Sequence, residues 1–251
     1  MSGPWHRAAA RHPGVGSELS FCPELARLYG SDFAEGLDGS RFALGGCSTP
    51  SNLVMLKRVF EKQRPRRTLE VGLALGGSCL LFTALHRRIG ATPTRQHLAI
   101  DPFQRSVWKE AGLLAVQRAG LGDYLEFRES RSSLELAALA RQGQNFDLIY
   151  IDGSHLFEDV FVDFYFTARL LAQGGIVAFD DCAKQSVKKV LVFIRRNLGA
   201  SFGEMDPSPF RPDRALALRY RAARLLGKAQ MRMFQRLGSV EREWDSPFRN
   251  F

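Results

Sequence analysis

Asp152-Gly153-Ser154-His155 and Asp180-Asp181 are the residues of this chain best equipped for chemistry. Each group follows a short apolar run, Asp147–Ile151 before the first and Gly175–Phe179 before the second. Runs of β-branched and aromatic residues of this length read as buried parallel strands. In an open α/β sheet a ligand sits beyond the carboxyl ends of the strands, so three carboxylates and one imidazole are expected at one rim. Clustered carboxylates repel one another unless a cation lies among them, and their hard oxygens suit an ion such as Mg²⁺. An imidazole beside that ion is suited to taking a proton at neutral pH, which is the role read for His155. The competing roles are a loop-ordering helix cap for His155 and a capped strand end for Asp180-Asp181.

Two further features point to a nucleoside-bearing ligand. Leu69-Glu70-Val71-Gly72 runs into Leu73-Ala74-Leu75-Gly76-Gly77-Ser78, a glycine-bearing turn between a strand and a helix. Such a turn lets backbone pass close to a ligand and offers free N–H groups at the helix start. Its spacing is not the dinucleotide G-x-G-x-x-G, and a tight turn with no ligand remains open. Asp101 ends the next strand, where an acid can accept hydrogen bonds from both ribose hydroxyls or can cap the following turn.

The elements that must hold these residues alternate from Thr68 to Gly199. Strands are expected at Thr68–Val71, His97–Ile100, Tyr124–Arg128, Phe146–Ile151 and Ile176–Phe179. Helices are expected at Ser78–Arg88, Val107–Ala119, Leu134–Arg141, Phe157–Leu171 and Ser186–Asn197, with Gln173-Gly174-Gly175 as a stop. This alternation predicts right-handed crossovers and a parallel sheet covered on both faces. Ser51–Glu61 reads as a helix capped near Thr49 or Ser51. Residues 1–45 read as a partly disordered stretch or a lid. Ala215–Tyr220 alternates like a late strand, and Ala222–Leu237 reads as an amphipathic helix.

The net charge of +9 is not spread evenly. Residues 68–200 hold 15 Lys+Arg and 14 Asp+Glu, while residues 1–67 and 201–251 each hold 10 and 6. The centre is therefore nearly neutral, and with no aromatic–basic stripe this argues against nucleic acid as partner. Arg211 to Arg236 carries eight basic residues against Asp213 alone. That tail is read first as a solvated face, with peripheral contact to an anionic membrane as the alternative. The end segments also offer a surface for a homodimer.

At 45% hydrophobic and 24% charged, the composition is that of a globular protein. No apolar stretch approaches the ~20 residues of a membrane helix, and Met1–Gly16 has no apolar leader core. Cys22, Cys47, Cys79 and Cys182 show no paired short spacing, which argues against a zinc site or a disulfide framework and for a cytoplasmic location. Cys182 reads as a buried thiol. His6, His12, His86 and His97 default to surface or core. Trp108, Lys184 and the helix Phe157–Phe166 are assigned to core or to a protein interface.

Residues 68–199 resemble a class I S-adenosylmethionine-dependent methyltransferase, in particular the O-methyltransferases related to the catechol and macrolide-sugar enzymes. The resemblance rests on Asp101-Pro102-Phe103-Gln104, Glu129-Ser130-Arg131-Ser132, Tyr150-Ile151-Asp152-Gly153-Ser154-His155 and Leu170–Asp181. It implies a Rossmann-like, doubly wound α/β domain with a mostly parallel seven-stranded sheet, helices on both faces and extensions at both ends. It implies S-adenosyl-L-methionine as cofactor, with Glu70 and Gly72 facing its methionine part, Ser78 near its carboxylate, Asp101 on the ribose and Ser132 near the adenine. It implies Mg²⁺ on Asp152, Asp180 and Asp181, and a general base at His155, three residues after the first ligand. In aminocoumarin-sugar relatives an acid stands two residues after that ligand; here the position is Ser154.

The division that follows is an N-terminal extension or lid over 1–50, a methyltransferase domain over 51–220 and a basic amphipathic tail over 221–251. The activity expected is O-methylation of a small molecule or sugar. Two alternatives stay open: a metal-free N-methyltransferase, and an inactive cofactor-binding protein that docks on membrane or nucleic acid.

Overall fold

The computed structural model describes residues 13–45 and 47–251. Helices α1 (Pro13–Leu19) and α2 (Pro23–Ser31) lead into a hairpin of β1 (Phe33–Glu35) and β2 (Arg41–Ala43). Helix α3 (Pro50–Gln63) follows, and Thr49 caps it by accepting from Asn52 N at 3.2 Å. Then come β3 (Thr68–Val71), α4 (Gly77–Arg88), β4 (His97–Ile100), α5 (Ala111–Arg118), β5 (Leu125–Arg128) and α6 (Ser132–Arg141). The chain continues through β6 (Phe146–Ile151), α7 (Phe157–Leu170), β7 (Leu171–Phe179), α8 (Gln185–Asn197), β8 (Phe202–Met205), α9 (Arg214–Leu225) and β9 (Arg232–Arg236).

The seven strands β3 to β9 form one sheet in the order β5-β4-β3-β6-β7-β9-β8. β3 to β7 pair in parallel, and β9 runs antiparallel to both its neighbours. Strand side chains alternate between two apolar layers. Leu148, Tyr150 and Ala99 pack with α3 and α4 on one face, and Leu69, Ile149 and Val177 pack with α6, α7 and α8 on the other. The expected α/β class and the seven-stranded, mostly parallel sheet are what the structure has.

Several local expectations are corrected. The helix expected from Val107 begins at Ala111, because Lys109 and Glu110 have left-handed backbone, φ 49° and 59°. β7 starts at Leu171 and absorbs Gln173-Gly174-Gly175, with a register shift opposite Phe146 and Leu148 and Gly174 at φ 77°. Ala215–Tyr220 is helix, not strand: Asp213 accepts from Leu216 N at 2.8 Å, and Ala, Leu and Arg favour helix. The helix expected over Ala222–Leu237 ends at Leu225. Gly227, at φ 66°, turns the chain into β9, whose Met233 and Phe234 are buried against β7 and β8. The sheet therefore does not stop at residue 220. The last residues fold back as well: Phe251 stacks on Phe157, and Arg196 and Asn197 donate to the carbonyls of Asn250 and Arg249.

The segment 13–45 is ordered. Leu25 and Leu28 of α2 are buried, each contributing about 1.5–3 kcal/mol relative to exposure. Residues 1–12, with His6 and His12, lie outside the described residues. No helix among the described residues is long and apolar enough to cross a membrane.

Candidate active site

Gly72, Asp101, Asp152 and Asp180 each stand one position past a strand, and an added backbone hydrogen bond carries the pairing up to each. Gly72 N donates to Ile100 O at 2.9 Å, Asp101 N to Arg128 O at 3.1 Å, Asp152 N to Val71 O at 2.9 Å and Asp180 N to Ile151 O at 3.0 Å. The carboxyl ends of β3, β4 and β6 thus surround a cavity of about 400 Å³, lined by Gly72, Asp101, Phe103, Trp108, Ser132 and Asp152 among others.

Gly72 has φ 92°, and a Cβ there would run into Asp152 O and lie 2.8 Å from the Gly153 Cα. Only glycine allows β3 and β6 to approach this closely. Asp101 ties two loops together. Its Oδ2 accepts from Leu73 N at 3.1 Å and Ala74 N at 2.8 Å, and its Oδ1 from Phe103 N at 2.7 Å. Ala74 holds φ 43°, a left-handed conformation usually left to glycine, and the Asp101 carboxylate fixes its amide. Ser132 opens α6 beside the buried Asp163, whose carboxyl is pushed up to about 6 by burial.

Trp108, expected in core or an interface, lines the cavity. The hairpin braces its segment from outside: Leu37 N donates to Lys109 O at 2.7 Å, and Phe42 meets Trp108 edge-on with ring centroids 6.1 Å apart. Glu70 and Ser78 do not line the cavity. Ser78 is buried in the first turn of α4. Glu70 points into the core beside Cys79 and His97, with its Oε1 3.4 Å from His97 Nε2. His86 and His97 are core residues joined through Thr68 Oγ1 at 2.9 and 2.8 Å, and Cys182 is a buried thiol.

Asp152 and Asp180 come together. Tyr150 Oη lies 2.5 Å from Asp180 Oδ2 and 3.1 Å from Asp152 Oδ2. Ser48 Oγ lies 2.5 Å from Tyr150 Oη, 3.2 Å from Asp152 Oδ2 and 3.4 Å from Asp180 Oδ2. Burial pushes both carboxyls up, and the charge of Asp180 adds to the shift at Asp152. Among the described residues neither acid has a Lys, Arg or His within ion-pair distance. A buried acidic pair with no cation fits a divalent ion.

Asp181 does not join that pair. Its backbone is left-handed, φ 52°, and its Oδ2 turns to His155 Nε2 and to Lys184 Nζ at 3.1 Å. Lys184 Nζ is also 2.7 Å from His155 Nδ1. The expected set of three acids is therefore split, two facing each other and one facing the imidazole. Lys184, expected in core or an interface, stands half-exposed at the rim. Ser48 carried no signal in the sequence. Tyr150 did carry one: a phenol in a run of Leu and Ile needs a polar partner once buried.

Residues 69–182 match the family model of a methyltransferase domain. No curated protein matches the chain at the sequence level. Among solved structures, the chain is similar to the O-methyltransferase TomG from Streptomyces achromogenes, involved in tomaymycin synthesis and solved with SAM. Identity is 19%, the match covers 88% of this chain and 90% of that one, and the TM-score is 0.52. It is also similar to an O-methyltransferase from Bacillus cereus solved with SAH, at 18% identity over 63% of this chain and 74% of that one, TM-score 0.52. These likenesses show the fold. Residues 69–182 of the chain form a methyltransferase domain, carried on a seven-stranded, mostly parallel sheet.

Proposed function

We propose that the protein transfers the methyl group of S-adenosylmethionine to a hydroxyl of a small molecule or sugar, with Mg²⁺ held by Asp152 and Asp180. The observation that carries this reading is the buried, cation-free pair of carboxyls beside the cavity. A bound divalent ion would acidify and orient an acceptor hydroxyl. Gly72, Asp101 and Ser132 line the cavity and would hold the donor there, with Phe103 and Trp108 as its walls. Placing donor and acceptor in line supplies much of the rate of such a displacement. With the donor bound, the new C–O bond would form as the S–C bond breaks, and His155 would take the hydroxyl proton.

His155 is prepared for this by its neighbours. With Nε2–H donating to Asp181, the lone pair lies on Nδ1, where Lys184 now donates. An acceptor hydroxyl must take the place of Lys184 to reach it. Asp181 serves as orienter of the base in this reading, not as a metal ligand.

One observation favours a second reading, metal-free transfer to nitrogen. The hydroxyls of Tyr150 and Ser48 already lie between the two carboxyls, and Asp181 faces away. Labelled-methyl transfer to paired catechols and anilines, with and without EDTA, separates the two. Chelator-sensitive labelling of the hydroxyl compounds supports the first reading, and chelator-insensitive labelling of the amines supports the second.

A further inference from the structure

A second cavity, of about 490 Å³, opens at the opposite rim of the sheet, where β3 and β4 begin. Arg64, Arg66 and Arg67 form one wall, and the turn from Ile89 to Gln96 forms the other. Arg88 borders an adjoining hollow that shares Arg64. From these residues we infer that this cavity binds a phosphate-bearing ligand, at a site separate from methyl transfer.

The charge here is unmatched. Among the described residues the lining arginines Arg64, Arg66, Arg67 and Arg88 have no carboxylate within ion-pair distance; Arg67 donates to Gln144 Oε1 at 2.6 Å and lies over Phe146, and Arg88 lies over Phe21. The nearest acids are engaged otherwise. Asp147 Oδ2 accepts from the backbone N–H groups of Arg66 and Arg67 at 2.8 and 3.0 Å, and Glu61 pairs with Lys57 at 3.1 Å. The carboxyl ends of α3 and α4 also point this way, each worth about −0.5 charge. Four guanidinium groups outweigh these helix ends and the carboxylates of Glu61 and Asp147, so the local field remains positive.

The shape is fixed as well as the charge. Gln96 Nε2 donates to Thr94 Oγ1 at 2.9 Å and to Thr92 O, and Thr94 N donates to Gln96 Oε1 at 3.2 Å. Arg64 and Arg95 hold left-handed backbone, φ 48° and 56°, at about 1–2 kcal/mol each relative to glycine. Guanidinium groups match phosphate oxygens two at a time, which lysine cannot do. Pro65 and Ile89 add apolar wall to the cavity. It accepts more than a bare anion: a nucleotide, a sugar phosphate or a phosphorylated lipid headgroup.

The test is calorimetric titration of the full chain at physiological salt with inorganic pyrophosphate and with ADP. Flotation with phosphatidylcholine vesicles, with and without phosphatidylinositol 4-phosphate, runs in parallel. Arg64→Glu/Arg66→Glu is the variant, and both positions are exposed and away from the methyl-transfer cavity. Saturable binding of a soluble probe, weakened about tenfold or more in the variant with S-adenosylhomocysteine binding unchanged, supports a free phosphate ligand. Binding to the phosphoinositide vesicles alone, lost in the variant, supports the lipid source. No saturable binding to any of these, binding unchanged in the variant, or retention on duplex DNA alone overturns the inference.

Discussion

Tyr150 donates its phenolic proton to Asp180, Oη to Oδ2 at 2.5 Å, from a strand whose neighbouring residues Leu148, Ile149 and Ile151 are apolar. The bond fixes the first carboxyl after β7 against the end of β6, and it joins the two strand ends that carry the acidic pair. Burial and the charges of Asp152 and Asp180 push the Tyr150 phenol well up, so it stays protonated and remains a donor.

Tyr150→Phe leaves the carboxyl pair with one donor fewer. The expected loss is about 1–3 kcal/mol of stability in the metal-free protein, the usual penalty for a buried acceptor left unpaired. Urea melts at pH 7 in EDTA measure it, and an unchanged midpoint would mean that the bond contributes nothing.

The acidic pair also sets a pH dependence. The folded chain holds its protons on Asp152 and Asp180 above the ordinary carboxylate range. A raised acid stabilises the fold fully below its unfolded pKa, and that contribution is lost as pH rises through the folded value. Chelated protein should therefore become less stable as pH climbs above about 4. Mg²⁺ binds the ionised pair, so the gap in Tm between Mg²⁺ and EDTA should widen from about pH 5 to about pH 8. A gap that is absent or constant across that range contradicts the metal reading.

Asp163 supplies a metal-independent control. Burial raises its carboxyl from 3.8 to about 6. By the same sign, Asp163→Asn should match the wild type below the lower value and be more stable above the upper one. The gain at pH 7 is about 1–3 kcal/mol, and denaturant melts at the two pH values read it.

Gly72→Ala places a methyl group against the Asp152 carbonyl in a backbone region that L-residues avoid. β3 and β6 must separate for it to fit. The variant is expected to lose about 2–4 kcal/mol and its affinity for S-adenosylhomocysteine together, read by melts and calorimetry. Normal binding at normal stability would show that the close approach is not needed.

The parts of this molecule legible in the sequence are those where a local rule and the packing agree. Phe146–Ile151 is apolar, β-branched and followed by Asp-Gly, and it is a buried strand ending at Asp152. Thr49 precedes Pro50 and caps α3 as its residue type predicts. The readings failed where one pattern serves two structures. Leu216, Leu218 and Tyr220 alternate, yet only Tyr220 is buried, and the alternation reflects a mostly exposed helix. Met231 to Phe234 looks like the end of that helix until β7 presents an edge for it to pair with. Within the site, strand ends fixed the places of Asp101, Asp152 and Asp180. The direction of Asp181 depends on its left-handed backbone, and Glu70 faces α4 because of the strand's two-residue alternation. Ser48 reaches the acids across the chain, a contact that no local pattern encodes.

The most direct test of the central claim is Mn²⁺ binding, followed by calorimetry on the S-adenosylhomocysteine complex of the wild type and of Asp180→Asn. Asp180 does not line the donor cavity, so its loss should spare nucleoside binding. The account predicts one saturable ion per wild-type chain, none in Asp180→Asn, and unchanged S-adenosylhomocysteine affinity. Equal Mn²⁺ binding by both proteins, or none by either, would contradict it.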